Sequence, residues 1–267
     1  MPEPTTPGLG AITARLQDDG VARLLGPTAE YLGEELEAYT QRRIDNVGRI
    51  FARAESKLGS KLDQPGQVPP KVLKTIINDG SYADNLLAIE YLGGVLASSR
   101  TESGRDDRGA RIARMVDSMS SFQLRSHFIT YAAVASVFQN KSMSIGDPAH
   151  REAMQLFIPY AGWADAMELT NAERQSPQLV SHIWFGLAND GLIGPTWYLG
   201  DRESIKQVFD ACPSDGVVCE PSILGAELLL WALGSGNSSI DDLLTGQLDL
   251  SFYGAPAPVE GAIPIKG

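Results

Sequence analysis

The spacing of apolar residues predicts a chain that is mainly helical. Between residues 27 and 62, apolar side chains recur every three or four positions, which is the pattern of one face of a long amphipathic helix. Acidic residues crowd the start of this stretch and basic residues crowd its end, and that order complements the helix dipole. The pattern therefore predicts a long first helix, with Pro27 in its first turn.

The stretch at 68–114 is predicted to be the centre of the N-terminal part. A pair of prolines begins a short helix, and Asp84 is positioned to cap a second helix that extends to about Arg100. This second helix is apolar on nearly its whole circumference, which indicates burial on most sides. Glycine in a helix interior costs about 1 kcal/mol relative to alanine, so Gly93 and Gly94 predict a close helix crossing.

Two further helices, at 107–119 and 122–139, complete a predicted N-terminal bundle. Beyond an irregular stretch, apolar helices alternate with two strand-like segments, Thr196 to Leu199 and Gly216 to Cys219. The predicted fold class is mainly α: an N-terminal helical bundle with a long first helix, then a C-terminal helical part with a small winged-helix-like β-hairpin. The corresponding division is a loose arm at 1–20, a helical domain at 21–139, an irregular linker at 140–175, a winged-helix-like unit at 176–252 and an extended tail at 253–267.

Composition narrows the classes of function. The 267 residues carry a formal net charge of -11 and a pI of about 4.7, which opposes non-specific attraction to nucleic acid. No segment reaches the roughly 20 consecutive apolar residues of a membrane span, and the N-terminus lacks the basic start and apolar core of a signal peptide. We therefore expect a cytoplasmic protein without a membrane span. Cys212 and Cys219 are expected to be free thiols.

Signatures of the common enzymes are missing from the sequence. His127, His150 and His182 are far apart, and none shows the H-E-x-x-H spacing of a zinc site. There is no glycine loop followed by Lys and Ser or Thr for phosphate, and no G-x-S-x-G nucleophile elbow. No catalytic residue, metal site or cofactor is predicted, and the sequence favours a non-enzymatic protein over an enzyme.

One charged hinge, RTESGRDDRGARIAR at 100–114, concentrates arginines and aspartates. Arginines bind phosphate or carboxylate through paired donors, and adjacent aspartates offer hard oxygens to a divalent cation. The alternative, which the pattern favours, is that the aspartates cap the next helix and the arginines form a solvated stripe. A separate candidate for an exposed contact is an aromatic residue in the segment GPTWYLG. The candidate ligand- or partner-binding residues are Arg100, Arg105, Asp106, Asp107, Arg108, Arg111 and Trp197.

Three segments carry a resemblance to a known family. They are GPTAEYLGEEL at 26–36, QVPPKVLKTIINDGSYADNLLAIEYLGGVLASS at 67–99, and the closing pattern that ends in PSILGAELL. On these motifs the sequence resembles the bacterial Abi-alpha (abortive infection alpha) family, first described as a domain of unknown function. The motifs are structural, so no catalytic residue is carried over. The resemblance implies a role in defence against phage, in which an infected cell arrests or dies before the phage multiplies.

Three functions remain open on these grounds. The first is a defence protein that acts as effector, sensor or regulator through contacts with a protein partner or a phage component. The second is a nucleic-acid-binding regulator that uses the winged-helix-like unit, although acidic residues outnumber basic ones there. The third is a phosphate- or nucleotide-binding enzyme at the hinge 100–114. A homo-oligomer is open in each case, because exposed apolar faces of helical bundles often pair.

Overall fold

The computed structural model describes residues 28–83, 85–252 and 254–266, with side chains from residue 41 onward. This part is mainly helical with a small antiparallel sheet, which confirms the predicted fold class. The helices are α1 (Thr28–Leu58), α2 (Pro70–Asn78), α3 (Leu86–Ser98), α4 (Gly109–Ser118), α5 (Ser121–Val137), α6 (Pro148–Ala153), α7 (Tyr160–Ala166), α8 (Asn171–Arg174), α9 (Pro177–Asn189), α10 (Arg202–Ile205) and α11 (Ile223–Ala232). Short 3₁₀ helices cover Gly59–Asp63, Gly80–Tyr82 and Ile240–Leu244, and the strands are β1 (Leu156–Pro159), β2 (Ile193–Gly200), β3 (Gly216–Pro221) and β4 (Ile263–Pro264).

The predicted long first helix is confirmed as α1, and the predicted loose arm at 1–20 lies outside the described residues. None of the described helices combines the length and the apolar character that a membrane crossing needs.

Helix α3 is buried on nearly every side, as its sequence predicts. Its N-cap is Asn85, whose side-chain oxygen accepts from the backbone N–H of Leu87 at 2.7 Å. The predicted cap, Asp84, lies outside the described residues. The predicted close crossing is confirmed: a Cβ on Gly94 would overlap the carbonyl oxygen of Ala232 in α11, and one on Gly93 would lie 2.5 Å from the Cβ of Arg53 in α1. Glycine therefore lets α3 approach two helices closely.

A buried carboxylate adds a second link between α1 and α3. Glu90 is only 4% exposed, and its two oxygens lie 2.8 Å from Nε of Arg53 and 3.1 Å from Nζ of Lys57. A buried charge is tolerated when it is paired and hydrogen-bonded. The two basic side chains of α1 thus make the charge of Glu90 compatible with its place inside the bundle.

The sheet has four antiparallel strands in the order β2-β3-β1-β4, and not only the predicted hairpin. The hairpin is the β2–β3 pair, in which Tyr198 lies opposite Val218. β1 comes from the stretch predicted to be an irregular linker, and β4 comes from the tail predicted to be extended. Both are too short for periodicity to identify, because a four-residue apolar run fits a helix segment as well as a strand.

Alternation along the strands divides the apolar residues between two cores. Cys219 on β3 faces the main core, whereas Val218 faces a smaller cluster with Phe157 and Cys212 beneath α10. The two thiols are therefore on opposite faces of the sheet. Both are free and buried, which confirms the prediction from sequence, and burial raises the pKa of Cys219 to about 12.

The crossing of α3 and α11 predicts an asymmetric effect of two glycine-to-alanine changes. We expect Gly94→Ala to lower the free energy of unfolding by about 3 kcal/mol, because the new methyl group displaces the backbone of α11. Gly48→Ala, on the exposed face of α1 with no atom within 4 Å of its Cβ, should raise it by up to about 1 kcal/mol. Urea unfolding of both variants measures this difference, and equal effects would contradict the described crossing.

Candidate functional site

Arg100, the first residue of the charged hinge, joins the ends of two helices. It follows the C-terminus of α3, and its guanidinium donates to carbonyl oxygens of the segment that follows α1. The acceptors are Lys61 (Nη1, 2.9 Å), Leu62 (Nη2, 3.3 Å) and Gln64 (Nη2, 2.5 Å). Carbonyls at a helix end lack partners within the helix, and a cation there also interacts favourably with the helix dipole. Both Nη groups of Arg100 therefore donate to carbonyl oxygens of this segment.

Asp106 and Arg108 pair with each other just before α4. Nε and Nη2 of Arg108 lie 2.9 and 2.6 Å from the two carboxylate oxygens of Asp106. The hydrogen bonds from the Arg108 side chain hold the pKa of Asp106 below its usual value. Arg108 also donates to the side-chain oxygen of Asn237 at 3.1 Å and lies over the ring of Trp231, so it ties the hinge to the loop after α11.

The other hinge candidates do not join this pair. Asp107 binds Lys71 of α2 at 2.7 Å, with both side chains about half exposed. Arg105 and Arg111 are exposed, and within the described ranges neither side chain has a hydrogen-bond or ion-pair partner. The structure thus brings Asp106 and Arg108 together but gives the six hinge candidates no common contact.

A polar cleft of about 510 Å³ lies beside Arg100. Its wall includes the ends of three helices, at Leu58 for α1, at Ser98 for α3 and at Gly234 just after α11. Helix C-termini carry partial negative charge, so this arrangement favours cations and opposes anions. Arg100 and Lys61 in the same wall supply the matching positive charge. The field of the converging helix ends therefore works against a phosphate or nucleotide in this cleft.

The loop 234–238, with the sequence GSGNS, forms another part of the cleft wall. Its sequence does not predict a functional site. The hydroxyl of Ser98 donates to the carbonyl oxygen of Trp231 at 3.1 Å and accepts from the N–H of Gly236 at 3.0 Å. The amide of Asn237 donates to the carbonyl oxygen of Ser98 at 3.2 Å. A short Gly and Ser run is typical of any loop. Only the packing of α11 on α3 brings it beside the hinge.

Trp197 lies on β2, at one edge of the sheet. Its ring meets that of Phe185 on α9 edge to face, with the centroids 4.9 Å apart. Phe185 is 54% exposed, Trp197 is half-buried, and Tyr198 on the opposite face of β2 is 38% exposed. We call these three residues the aromatic edge. Phe185 was missed by the sequence reading, although its position off the buried face of α9 is a usable signal.

A groove of about 360 Å³ lies at the C-terminal end of β2. It begins one turn along α9 from Phe185, since Ser181 is part of its wall. Pro177, Leu199, Asp201 and Asp215 also line it. The groove combines an apolar floor with two carboxylates and adjoins the aromatic edge.

His127 is the centre of a buried hydrogen-bond chain. Its Nε2 lies 2.9 Å from the carbonyl oxygen of Gly225, which can only accept, so Nε2 carries the proton. Nδ1 then accepts from the hydroxyl of Tyr91 at 2.8 Å. Burial lowers the pKa of His127 to about 4. Because protein groups satisfy both ring nitrogens, His127 is a structural residue of the core.

In the part of the chain that the structure describes, no three His, Cys, Asp or Glu side chains are grouped so that they could hold a metal ion. Comparison of the chain with protein-family models, curated proteins and solved structures gives no match.

The capping role of Arg100 predicts that this side chain contributes more to the free energy of unfolding than the side chain of Arg105 does. Arg100→Ala should lower the free energy of unfolding by about 1–2 kcal/mol, because the carbonyls of Lys61, Leu62 and Gln64, in the segment after α1, lose a charged donor. Arg105→Ala is the matched control and should change it by less than about 0.5 kcal/mol. Urea unfolding of the two variants gives the comparison; equal losses would exclude the capping role.

The buried imidazole predicts a loss of stability in mild acid. Burial lowers the pKa of His127 to about 4 in the folded chain, whereas an unperturbed histidine has a pKa of about 6.5, so the unfolded chain binds more protons between these pH values. The contribution of His127 should be intact above pH 6.5 and should fall by about 3 kcal/mol as the pH drops to 4. Urea unfolding as a function of pH measures the slope. A His127→Asn variant keeps a donor and an acceptor without titrating and should flatten it; an unchanged slope would assign the effect to another group.

Proposed function

We propose that this chain is an anti-phage defence protein of the abortive-infection type that acts in the cytoplasm through contacts with another protein. The resemblance to the Abi-alpha family supports the defence role. The residues that carry most of it, at 67–99, form α2 and α3 in the centre of the helical part. They are structural, so the resemblance supports a shared architecture and leaves the point of contact to other residues.

The aromatic edge is the observation that carries the protein-contact part of the proposal. Trp163, Trp184 and Trp231 are fully buried, whereas Trp197 is half-buried and meets the ring of Phe185, which is 54% exposed, edge to face. An apolar ring in contact with water lacks the favourable free energy that burial would give it. Aromatic residues are also enriched at protein–protein interfaces. A partner that covers these rings would recover that energy.

The two alternatives have less support. The only Lys or Arg residues at 176–233 are Arg202 and Lys206, and the side chain of each already has a partner within the chain. Arg202 donates to the carbonyl oxygen of Cys212, and Lys206 pairs with Glu203 at 3.2 Å. A nucleic-acid site there would lack the basic patch that phosphates require. In the described structure Asp106 and Arg108 pair with each other, the six hinge candidates have no contact common to all of them, and the helix ends beside Arg100 oppose an anion.

The proposal predicts that expression of the chain protects bacteria from phage. In a phage-sensitive strain, expression should lower plaque number for at least one phage of a broad panel. The double variant Phe185→Ala/Trp197→Ala should lose this protection, because it removes the rings that a partner would cover.

Val208→Ala is the matched control, since Val208 is 55% exposed, belongs to the segment after α10 and is not one of the three residues of the aromatic edge. It should protect as well as the parent chain. Thermal unfolding of all variants separates a lost contact from a lost fold. Unchanged plating of the whole panel with the parent chain would refute the defence role, and full protection by the double variant would refute the aromatic edge as its contact.

A further inference from the structure

The outer edge of β2 is unpaired over a regular four-residue run. Trp197 to Gly200 pair in continuous register with β3 on the inner side, and no strand of the described chain pairs on the outer side. In an antiparallel strand, alternate residues direct both N–H and C=O away from the neighbour. Two residues of this run therefore present backbone donors and acceptors outward. Pro195 and an irregularity before Trp197 limit the edge to this run.

Side chains on both faces of the run favour an extended occupant. Trp197 and Leu199 share the face that α9 covers, where Phe185 and the 360 Å³ groove lie, and Tyr198 is on the other face. A strand added at the edge would place alternate side chains against the aromatic rings and into the groove. Backbone hydrogen bonds would supply affinity and the groove would supply selectivity.

The charges around the groove identify the occupant's chemistry. Asp201 and Asp215 line it, and neither has an ion-pair partner in the described part of the chain. The hydrogen bond from the Ser204 N–H lowers the pKa of Asp201, so its carboxylate is charged at neutral pH. The one cationic side chain in the described wall, Arg174, already pairs with Asp165 at 2.5 Å. The groove therefore presents uncompensated negative charge.

We propose that the β2 edge from Trp197 to Gly200 receives an extended segment of a partner protein, in which apolar residues alternate and Lys or Arg flanks them. This inference rests on the proposed protein-contact function and specifies its ligand. The carboxylates of Asp201 and Asp215 attract the basic flank, and the aromatic edge covers the apolar side chains.

Selection from a random peptide library against the full chain tests the proposal. Enriched peptides should contain at least four alternating β-branched or aromatic residues next to Lys or Arg. For an enriched peptide, N-methylation of backbone nitrogens at one set of alternate positions should weaken binding about tenfold or more, because these N–H groups pair with β2. Methylation at the other set should leave affinity unchanged, since those groups point away from β2. Calorimetry measures the affinities.

Two conservative variants test the charge. Asp201→Asn keeps the N-cap of α10 and Asp215→Asn keeps an acceptor for the N–H of Arg202, and each should weaken the basic peptide about threefold. No enrichment over the Phe185→Ala/Trp197→Ala chain, enrichment of acidic peptides, or equal loss with both methylation patterns would overturn the proposal. A dimer that the double variant dissociates would assign the edge to a second copy and overturn it as well. Peptide binding without protection from phage would retain this inference and reject the defence role; protection without peptide binding would do the reverse.

Discussion

Backbone contact at two adjacent glycines is the constraint on which the helical part depends. Gly93 lies against α1 and Gly94 lies against the last turn of α11, so α3 is held between two helices at distances that a side chain would prevent. The chain accepts two poor helix formers inside its most buried helix because the close packing compensates for them. Glu90, one turn earlier, adds paired charges to the same contact with α1.

The same packing creates an electrostatic requirement that the charged hinge meets. When α3 lies between α1 and α11, the C-terminal ends of all three helices border one cleft. Their partial negative charges favour a cation, which Arg100 supplies beside the cleft, and its guanidinium also donates to the carbonyls of Lys61 and Gln64 in the segment after α1. The side chain of Arg108 also donates a hydrogen bond to Asn237, in the loop after α11. Contacts within the fold thus account for Arg100, Asp106 and Arg108 of the hinge.

The aromatic edge has a different character, because the described chain covers its rings only in part: Trp197 packs partly against the main core, and Phe185 and Tyr198 are exposed. The core of α9 is complete with Val180, Ile183, Trp184 and Leu187, and Phe185 lies outside that face. Its edge-to-face contact with Trp197 places two rings beside the unpaired edge of β2 and the acidic groove. Arg100, Arg108 and His127 have their partners within the chain, whereas Phe185 and Tyr198 keep much of their ring surface in contact with water.

The sequence by itself determined the features that arise from neighbours along the chain. Apolar periodicity specifies α1 and the buried character of α3, because each depends on residues within a few turns, and strand-like residue types mark the segments that form β2 and β3. Trp197 was selected as a candidate because it is a large aromatic residue in the segment GPTWYLG, where no apolar helical face accounts for it. Only the tertiary structure decided the rest. β1 and β4 are strands because each finds a neighbour distant in sequence, and Arg100 meets the loop 234–238 because α11 packs on α3. Such contacts depend on the free energy of the whole assembly, which no local pattern records.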